Sequence, residues 1–175
     1  YLIKPMRAAS LAARLQLESD GFAQLHEGDA SVLRNGKDRR GGLSILVAED
    51  NEINALLARA LLQKLGHRPA VAANGQAAME SFQAAHSAGL PYDLILMDVR
   101  MPGIDGLEAT RRIRAVEQAS GARRTPIIAL TANAFSEHRE ACLIAGMDGF
   151  LSKPLDREKL GTLLSGHFGA ADIAA

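Results

Sequence analysis

Short apolar runs and longer helix-like segments alternate along the chain from residue 44 onward. A short apolar run bounded by polar or turn-forming residues is typical of a buried strand. The runs predict five strands, at Ser44–Ala48, Ala70–Ala73, Asp93–Met97, Pro126–Leu130 and Gly149–Ser152. Each predicted strand is followed by a segment with a different periodicity.

The segments that follow the strands have helical spacing. After the first strand, apolar residues recur at intervals of three and four, and Gly66 ends the pattern. These apolar positions are Ile53, Leu56, Leu57, Ala60, Leu61 and Leu65. The remaining helices are predicted at Gly75–His86, around Leu107–Glu117, at Phe135–Ala145 and at Asp156–Leu164.

Five strand–helix units in succession predict an α/β fold. Strands connected by helices pair in parallel and are covered on both faces, which explains why the runs are apolar throughout. Because such crossovers are right-handed, few topologies are possible. We predict a (βα)5 doubly wound parallel sheet, flavodoxin-like, with strand order 2-1-3-4-5.

Reactive side chains stand at the carboxyl ends of four of the five predicted strands. Parallel strands bring these ends to one edge of a sheet, where ligands bind in the crevice. The residues concerned are Glu49, Asp50, Asp98, Thr131 and Lys153. Their order along the chain predicts a single site built from three acids, a hydroxyl and an amine.

The residue types at this edge suit phosphoryl transfer with a divalent cation. Three carboxylates in one crevice repel one another, and Mg²⁺, which prefers oxygen ligands, relieves that repulsion. Asp98, on the central strand, is the predicted nucleophile, since a carboxylate can attack phosphorus to form an aspartyl phosphate. Lys153 offers a positive charge and Thr131 a hydrogen-bond donor to the transferred oxygens.

Each of these residues also has an ordinary structural interpretation. Glu49 and Asp50 fit a helix N-cap and a first-turn acid, and Asp98 fits a turn. Thr131 is compatible with a plain strand-end hydroxyl, and Lys153 with a solvated side chain. Because all of them stand at strand ends, in the order that one site requires, a shared site is favoured over separate structural roles.

Four longer motifs carry a family resemblance. They are Ile45–Asn51, Leu96–Gly106, Ile128–Ala134 and Ala145–Pro154. With these motifs the sequence resembles the receiver domain of two-component response regulators, over roughly Leu43–Phe168. It is most similar to the C-terminal receivers of hybrid sensor histidine kinases.

The resemblance implies a phosphoacceptor and a metal site. Asp98 would accept the phosphoryl group, and Glu49, Asp50 and Asp98 would surround Mg²⁺. The backbone carbonyl of Arg100, two residues after the acceptor, is the further implied ligand.

The resemblance also implies a conformational switch. Thr131 and Lys153 would contact the phosphoryl group, and Phe150 takes the position of the family's switch aromatic. Phosphorylation would draw Thr131 toward the new oxygens and let Phe150 move inward. Phenylalanine in place of the more usual tyrosine removes a hydroxyl and any hydrogen bond that it would make.

The predicted function is that of a phosphorelay receiver in a two-component system of bacterial type. Its partner would be a phosphohistidine on a histidine kinase core or on a histidine phosphotransfer domain. The alternative is a regulatory interaction module that gates a histidine kinase in the same chain. Whether the domain counts as an enzyme stays open. The resemblance implies that the domain itself is a phosphoacceptor with slow autodephosphorylation, and that its parent chain is a hybrid histidine kinase.

Two other classes fit the residues poorly. A phosphatase of the haloacid-dehalogenase type also uses a strand-end aspartate, but it needs a second aspartate two residues later, where Arg100 stands. A flavin- or nucleotide-binding module needs a glycine-rich phosphate loop after the first strand. Glu49 and Asp50 occupy that place and would repel phosphate.

The start of the chain resembles its end. Tyr1–Pro5 parallels Phe150–Pro154 at a constant offset, which continues at Leu11 and Leu15. We therefore predict that residues 1–17 are the last strand and helix of a preceding receiver-like domain in the same chain. Residues 18–42 are then a polar, glycine-rich linker, 43–168 the receiver domain and 169–175 a flexible tail.

Composition narrows the range of partners. The 175 residues are 47% hydrophobic and 23% charged, with a formal net charge of zero, so no general attraction to nucleic acid or membrane surfaces is expected. With no apolar run long enough for a bilayer, the segment is expected in the cytoplasm, although its parent may hold a membrane anchor. The single cysteine, Cys142, excludes an internal disulfide and is predicted to be a buried thiol.

Overall fold

Five parallel strands form one sheet in the order β2-β1-β3-β4-β5 in the computed structural model, as predicted. The strands are β1 Ser44–Ala48, β2 Arg68–Ala72, β3 Leu94–Asp98, β4 Ile127–Thr131 and β5 Gly149–Ser152. The helices are α1 Glu52–Lys64, α2 Gly75–Ser87, α3 Gly106–Ser120, α4 Ser136–Ala145 and α5 Arg157–Phe168.

The structure describes residues 42–132 and 136–168. Within the second range, residues 136–138 are described by their backbone alone. The predicted remnant at residues 1–17, the linker up to residue 41 and the tail at 169–175 lie outside these ranges. Those domain assignments therefore stay predictions. Within the described ranges, no helix has the length and apolar character that crossing a membrane requires.

The predicted element bounds were close, but most of them shifted by one to a few residues. The second strand starts two residues earlier than predicted, at Arg68, and the last helix continues to Phe168. Asp98 and Thr131 are the last residues of their strands rather than the residues that follow them. Both side chains are therefore held by paired backbone at the edge of the sheet.

The sheet has an apolar core on each face. Alternate residues of β1 and β3 enter opposite clusters, as the two-residue repeat of a strand requires. Helices α2, α3 and α4 cover one face, and α1 and α5 cover the other. Cys142 of α4 lies in the first cluster, so the predicted buried thiol is confirmed, and burial raises its pKa.

Helix α1 packs on the sheet through a different set of residues from the apolar positions whose spacing predicts the helix. Its buried residues are Ala55, Ala58 and Leu62. Ile53 and Leu56, which belong to the predicted apolar pattern, are 76% and 67% exposed. The helix is confirmed, but small residues bring it close to the sheet and leave several large apolar side chains on its outer surface.

A buried ionic network joins α3 to the amino-terminal ends of β4 and β5. The guanidinium of Arg114 donates to Glu117 at 2.6 Å and to Asp148 at 2.7 Å. It also donates to the backbone carbonyl oxygens of Thr125 and Gly146, each at 2.9 Å. The network lies at the sheet edge opposite the predicted site and ties together elements that are distant in sequence.

A buried histidine lies near the start of β1. His67 is 5% exposed, and its Nδ1 accepts the backbone N–H of Leu43 at 3.2 Å. Its Nε2 is buried without a hydrogen-bond partner in the described part of the chain. The imidazole is therefore held neutral, with Nδ1 as the acceptor.

The stability of the domain is expected to fall as the pH drops through the titration range of His67. Burial lowers the pKa of His67, although the carboxylate of Asp93 partly offsets this. Because an unfolded histidine has a pKa of about 6.5, the unfolded chain takes up a proton below that pH more readily than the folded domain does. This loss costs at most about 1.4 kcal/mol per pH unit for one proton.

Urea unfolding measured across this pH range checks the prediction. The variant His67→Asn keeps an oxygen that can accept the Leu43 N–H and removes the titrating ring, so its stability should depend less on pH. As a control, His86→Asn replaces a ring that stacks on Phe82 and should keep the wild-type dependence. Equal pH slopes in the wild type and His67→Asn would contradict the assignment.

Candidate functional site

The predicted carboxylates meet at the carboxyl edge of the sheet. Glu49 directly follows β1, and Asp98 ends the neighbouring strand β3. Oxygen atoms of Glu49, Asp50 and Asp98 all lie within 4.8 Å of one another. Glu49 and Asp98 are buried and Asp50 is exposed, so the cluster opens to solvent on the Asp50 side.

Lys153 joins the cluster from β5. Its Nζ donates a hydrogen bond to Oδ2 of Asp98 at 2.6 Å and lies 2.6 Å from Oε2 of Glu49. Burial lowers the pKa of Lys153, but the hydrogen bond to Asp98 and the charges of Asp98 and Glu49 outweigh it. The pKa is therefore raised above its ordinary value, and the amine stays an ammonium ion at neutral pH.

The start of α1 leaves the two acids after β1 available to the site. Asn51 is the N-cap, and its side-chain oxygen accepts the backbone N–H groups of Ile53 and Asn54. The interpretation of Glu49 and Asp50 as the capping residues is therefore wrong. Asn54 also donates from Nδ2 to Oε1 of Glu49 at 3.0 Å and so orients that carboxylate.

The backbone around Asp98 fixes its side chain. The backbone N–H of Arg100 donates to Oδ1 of Asp98 at 3.0 Å, so the turn role considered for Asp98 coexists with the site. Helix α3 begins against the same residue, because a β carbon on Gly106 would stand 2.0 Å from the carbonyl oxygen of Asp98. Only glycine permits this approach. The predicted role of the Arg100 carbonyl as a metal ligand stays a prediction.

Thr131 and Phe150 lie on β4 and β5 beside the cluster. Thr131 is buried at the end of β4, and its carbonyl oxygen accepts the backbone N–H of Lys153 at 2.8 Å. This bond places the threonine and the lysine side by side at the sheet edge. Phe150 is half-buried and pairs with Ala129, two residues before Thr131.

The charge and donor type of the cluster fit a hard divalent cation. Three carboxylates face one ammonium in this part of the described structure, so the cluster is net negative. Glu49 Oε2 is buried, and the ammonium of Lys153 lies 2.6 Å from it as an ion pair. Carboxylate oxygens are the ligands that Mg²⁺ prefers in proteins.

Two residues that support the site were not identified from the sequence. Asn54 orients Glu49, but a polar residue in the first turn of a helix carries no signal beyond capping. Gly106 belongs to the Leu96–Gly106 motif, yet its close approach to the backbone of Asp98 depends on how α3 meets β3. Both roles follow from tertiary packing.

Comparison with known proteins agrees with the fold and the motifs. Residues 45–165, more than half of the chain, match the model of the response regulator receiver domain family. The chain is 45% identical over 120 residues to hybrid signal transduction histidine kinase M of Dictyostelium discoideum. That match covers 69% of this chain and only 5% of the kinase, so the chain spans a small part of this relative.

Solved receiver structures have the same fold. The receiver domain of sensor histidine kinase PA1611 from Pseudomonas aeruginosa, which holds magnesium in its active site cleft, is 45% identical with a TM-score of 0.60. The match covers 74% of this chain and 99% of that chain.

A second structure contains a phosphorelay partner. A chain in the Saccharomyces cerevisiae co-crystal of the histidine phosphotransfer protein Ypd1 with the Ssk1 receiver domain has a TM-score of 0.67 and 26% identity, covering 76% of this chain and 92% of that chain. Together with the family match and the predicted motifs, these similarities establish that the chain belongs to the response regulator receiver domain family.

Proposed function

We propose that this domain accepts a phosphoryl group from a phosphohistidine onto Asp98, with Mg²⁺ as cofactor, and then switches conformation. The observation that carries the proposal is the position of Asp98. Its carboxylate is buried at the end of the central strand, within 4.8 Å of two other acids and 2.6 Å from the ammonium of Lys153. That arrangement places a nucleophile beside both a cation and a candidate metal site.

In the proposed reaction, a carboxylate oxygen of Asp98 attacks phosphorus while the bond from phosphorus to the histidine nitrogen breaks. The electron pair of that bond returns to the imidazole, and an acyl phosphate forms on Asp98. Mg²⁺, held by Glu49, Asp50 and Asp98, would offset negative charge on the transferred oxygens. The ammonium of Lys153, which pairs with the carboxylate of Asp98 before the reaction, then binds a phosphoryl oxygen. The hydroxyl of Thr131 donates a hydrogen bond to another phosphoryl oxygen.

Intact-protein mass spectrometry after incubation with acetyl phosphate and Mg²⁺ tests this proposal. We expect a single phosphoryl adduct that disappears when the metal is chelated or when Asp98 is replaced by asparagine. Asp105→Asn is the matched control, because Asp105 is an exposed acid nearby that caps α3, a role that asparagine keeps. An adduct that persists in Asp98→Asn would exclude Asp98 as the acceptor.

The outer face of α1 is the proposed docking surface for the phosphodonor. Ile53, Leu56 and Leu57 are 76%, 67% and 41% exposed, and they begin two residues after the N-cap that follows the acidic cluster. A partner whose histidine reaches Asp98 must pass next to this apolar face. A helix that carries a phosphohistidine, as in a kinase core or a histidine phosphotransfer domain, suits such a surface.

Leu56→Asp is expected to separate partner docking from phosphoryl chemistry. The new carboxylate would be buried without an ionic partner when the donor docks. We therefore expect transfer from a histidine-phosphorylated phosphotransfer protein such as Ypd1 to be at least about tenfold slower. Phosphorylation by acetyl phosphate should be unchanged. The matched control is Ile144→Asp, which replaces a 75% exposed apolar residue on α4, on the other face of the sheet.

The regulatory alternative makes a different prediction. If the domain serves mainly to gate a kinase in the same chain, Leu56→Asp should disturb that contact and Asp98→Asn should not. If both variants abolish signalling in the parent chain, the phosphoacceptor proposal is favoured.

A further inference from the structure

The side chain of Arg139 on α4 covers the ring of Phe150 on β5. The guanidinium carbon of Arg139 lies 3.7 Å from the ring centroid, which is a close cation–π contact. The planar guanidinium suits this arrangement, because it can stack on an aromatic face. Both side chains are partly exposed, so the contact holds the ring at the boundary between core and solvent.

Phe150 and Thr131 share one face of the sheet. Phe150 pairs with Ala129, and Thr131 follows Ala129 by two residues on the same strand, so all three side chains point to that face. Cys142 of α4 packs in the core cluster on this face, and Phe150 packs against the cluster. Thr131 and the ring of Phe150 therefore lie on the same face of the sheet, the face that α4 covers.

We propose that Arg139 is a positioning residue that holds Phe150 in its resting place and so opposes the switch. This inference rests on the proposed function above. The guanidinium contact stabilises the resting structure and is lost when the ring moves inward. A ligand that favours the switched state must therefore offset the free energy of this contact. A cation–π contact at a partly exposed site shifts such an equilibrium by about two- to fivefold.

Beryllofluoride, a mimic of the phosphoryl group, tests the proposal by titration calorimetry in the presence of Mg²⁺. We expect Arg139→Gln to bind it about two- to fivefold more tightly than the wild type. Arg139→Lys, which restores the charge, should bind with an affinity between the two. In a Phe150→Leu background, Arg139→Gln should have no further effect, since the ring on which Arg139 acts is absent.

A second measurement needs no ligand. The side-chain protons of Arg139 should show a ring-current shift in the NMR spectrum of the resting wild type, and this shift should vanish in Phe150→Leu. The charge control is Arg111→Gln, because Arg111 pairs with Glu108 on the surface of α3. Its beryllofluoride affinity should stay within twofold of the wild type, about 0.4 kcal/mol.

Two outcomes would overturn the proposed role of Arg139 and leave the proposed function intact. One is wild-type binding that Arg139→Gln leaves unchanged or weakens, and the other is equal tightening in the presence and absence of Phe150. If the wild type shows no Mg²⁺-dependent binding of beryllofluoride, the proposed function is wrong, and the role of Arg139, which rests on it, is wrong too. Thermal unfolding of each variant establishes that every comparison is made between folded proteins.

Discussion

Lys153→Ala is expected to slow phosphorylation of Asp98 by acetyl phosphate by roughly 100-fold while tightening the binding of Mg²⁺. The Nζ atom lies 2.6 Å from carboxylate oxygens of both Glu49 and Asp98. Its loss removes the cation that would meet the transferred oxygens, so the transition state is less stabilised. The same loss leaves the three acids without the ammonium, so a divalent cation binds with less repulsion.

The two effects have opposite signs, which makes the prediction specific. Even at the dielectric constant of water, a unit charge beside a divalent ion costs on the order of 1–2 kcal/mol, so we expect Mg²⁺ to bind about tenfold tighter. Calorimetry gives the metal affinity, and the time course of the intact mass gives the rate. Lys159→Ala, on the surface of α5 beside Asp156, should change neither quantity. Weaker Mg²⁺ binding in Lys153→Ala would contradict the proposed role.

Arg114→Met is expected to lower the free energy of unfolding by about 3–5 kcal/mol. Its side chain is 13% exposed and makes ion pairs with Glu117 and Asp148, which are 5% and 15% exposed. Removing the guanidinium leaves Glu117 buried without its cation, whereas Asp148 keeps its ion pair with Arg124. It also removes the side-chain donor to the carbonyl oxygen of Thr125 and one of the two arginine donors to that of Gly146, which keeps Arg124.

Arg112→Met provides a control on the same helix. Arg112 pairs with Glu108 at 2.7 Å, as short as the bonds of Arg114, but both side chains are more than a third exposed. Such a surface pair contributes at most about 1 kcal/mol. Urea unfolding of the two variants measures the difference, and equal losses would show that burial does not set the strength of the Arg114 network.

The sequence is sufficient to predict the sheet order and the sheet edge at which the acids and Lys153 meet. Buried parallel strands are continuous apolar runs, and the side chain at the end of each run must lie at one edge of the sheet. Glu49, Asp98 and Lys153 therefore came together as predicted. The bounds were less certain, because backbone pairing between neighbouring strands extends β3 and β4 to include the polar residues Asp98 and Thr131.

The face of α1 that packs on the sheet could not be predicted from spacing alone. The large residues Ile53 and Leu56 gave the stronger periodic pattern, but Ala55 and Ala58 occupy the contact with the sheet. Small residues are favoured at this contact because they let the helix pack closely on the sheet. The apolar positions of α1 that face solvent and those that face the core have similar helical spacing, so the sequence does not separate them.

Contacts between residues far apart in sequence were also beyond prediction. Arg114 and Asp148 are separated by 34 positions, and their pairing depends on where α3 ends relative to β5. The stacking of Arg139 on Phe150 likewise depends on the placement of α4 over the sheet. Charged residues on a helix are usually solvated, so nothing in the sequence marked these two arginines.

The most direct test of the central claim is to locate the phosphoryl group on the chain. Borohydride reduces an acyl phosphate on aspartate to homoserine, so phosphorylated protein can be treated, digested and mapped by peptide mass spectrometry. We expect homoserine at position 98 only, and only when Mg²⁺ was present during phosphorylation. Homoserine at Asp50 or another acid, or a phosphoryl adduct that yields no homoserine, would contradict it.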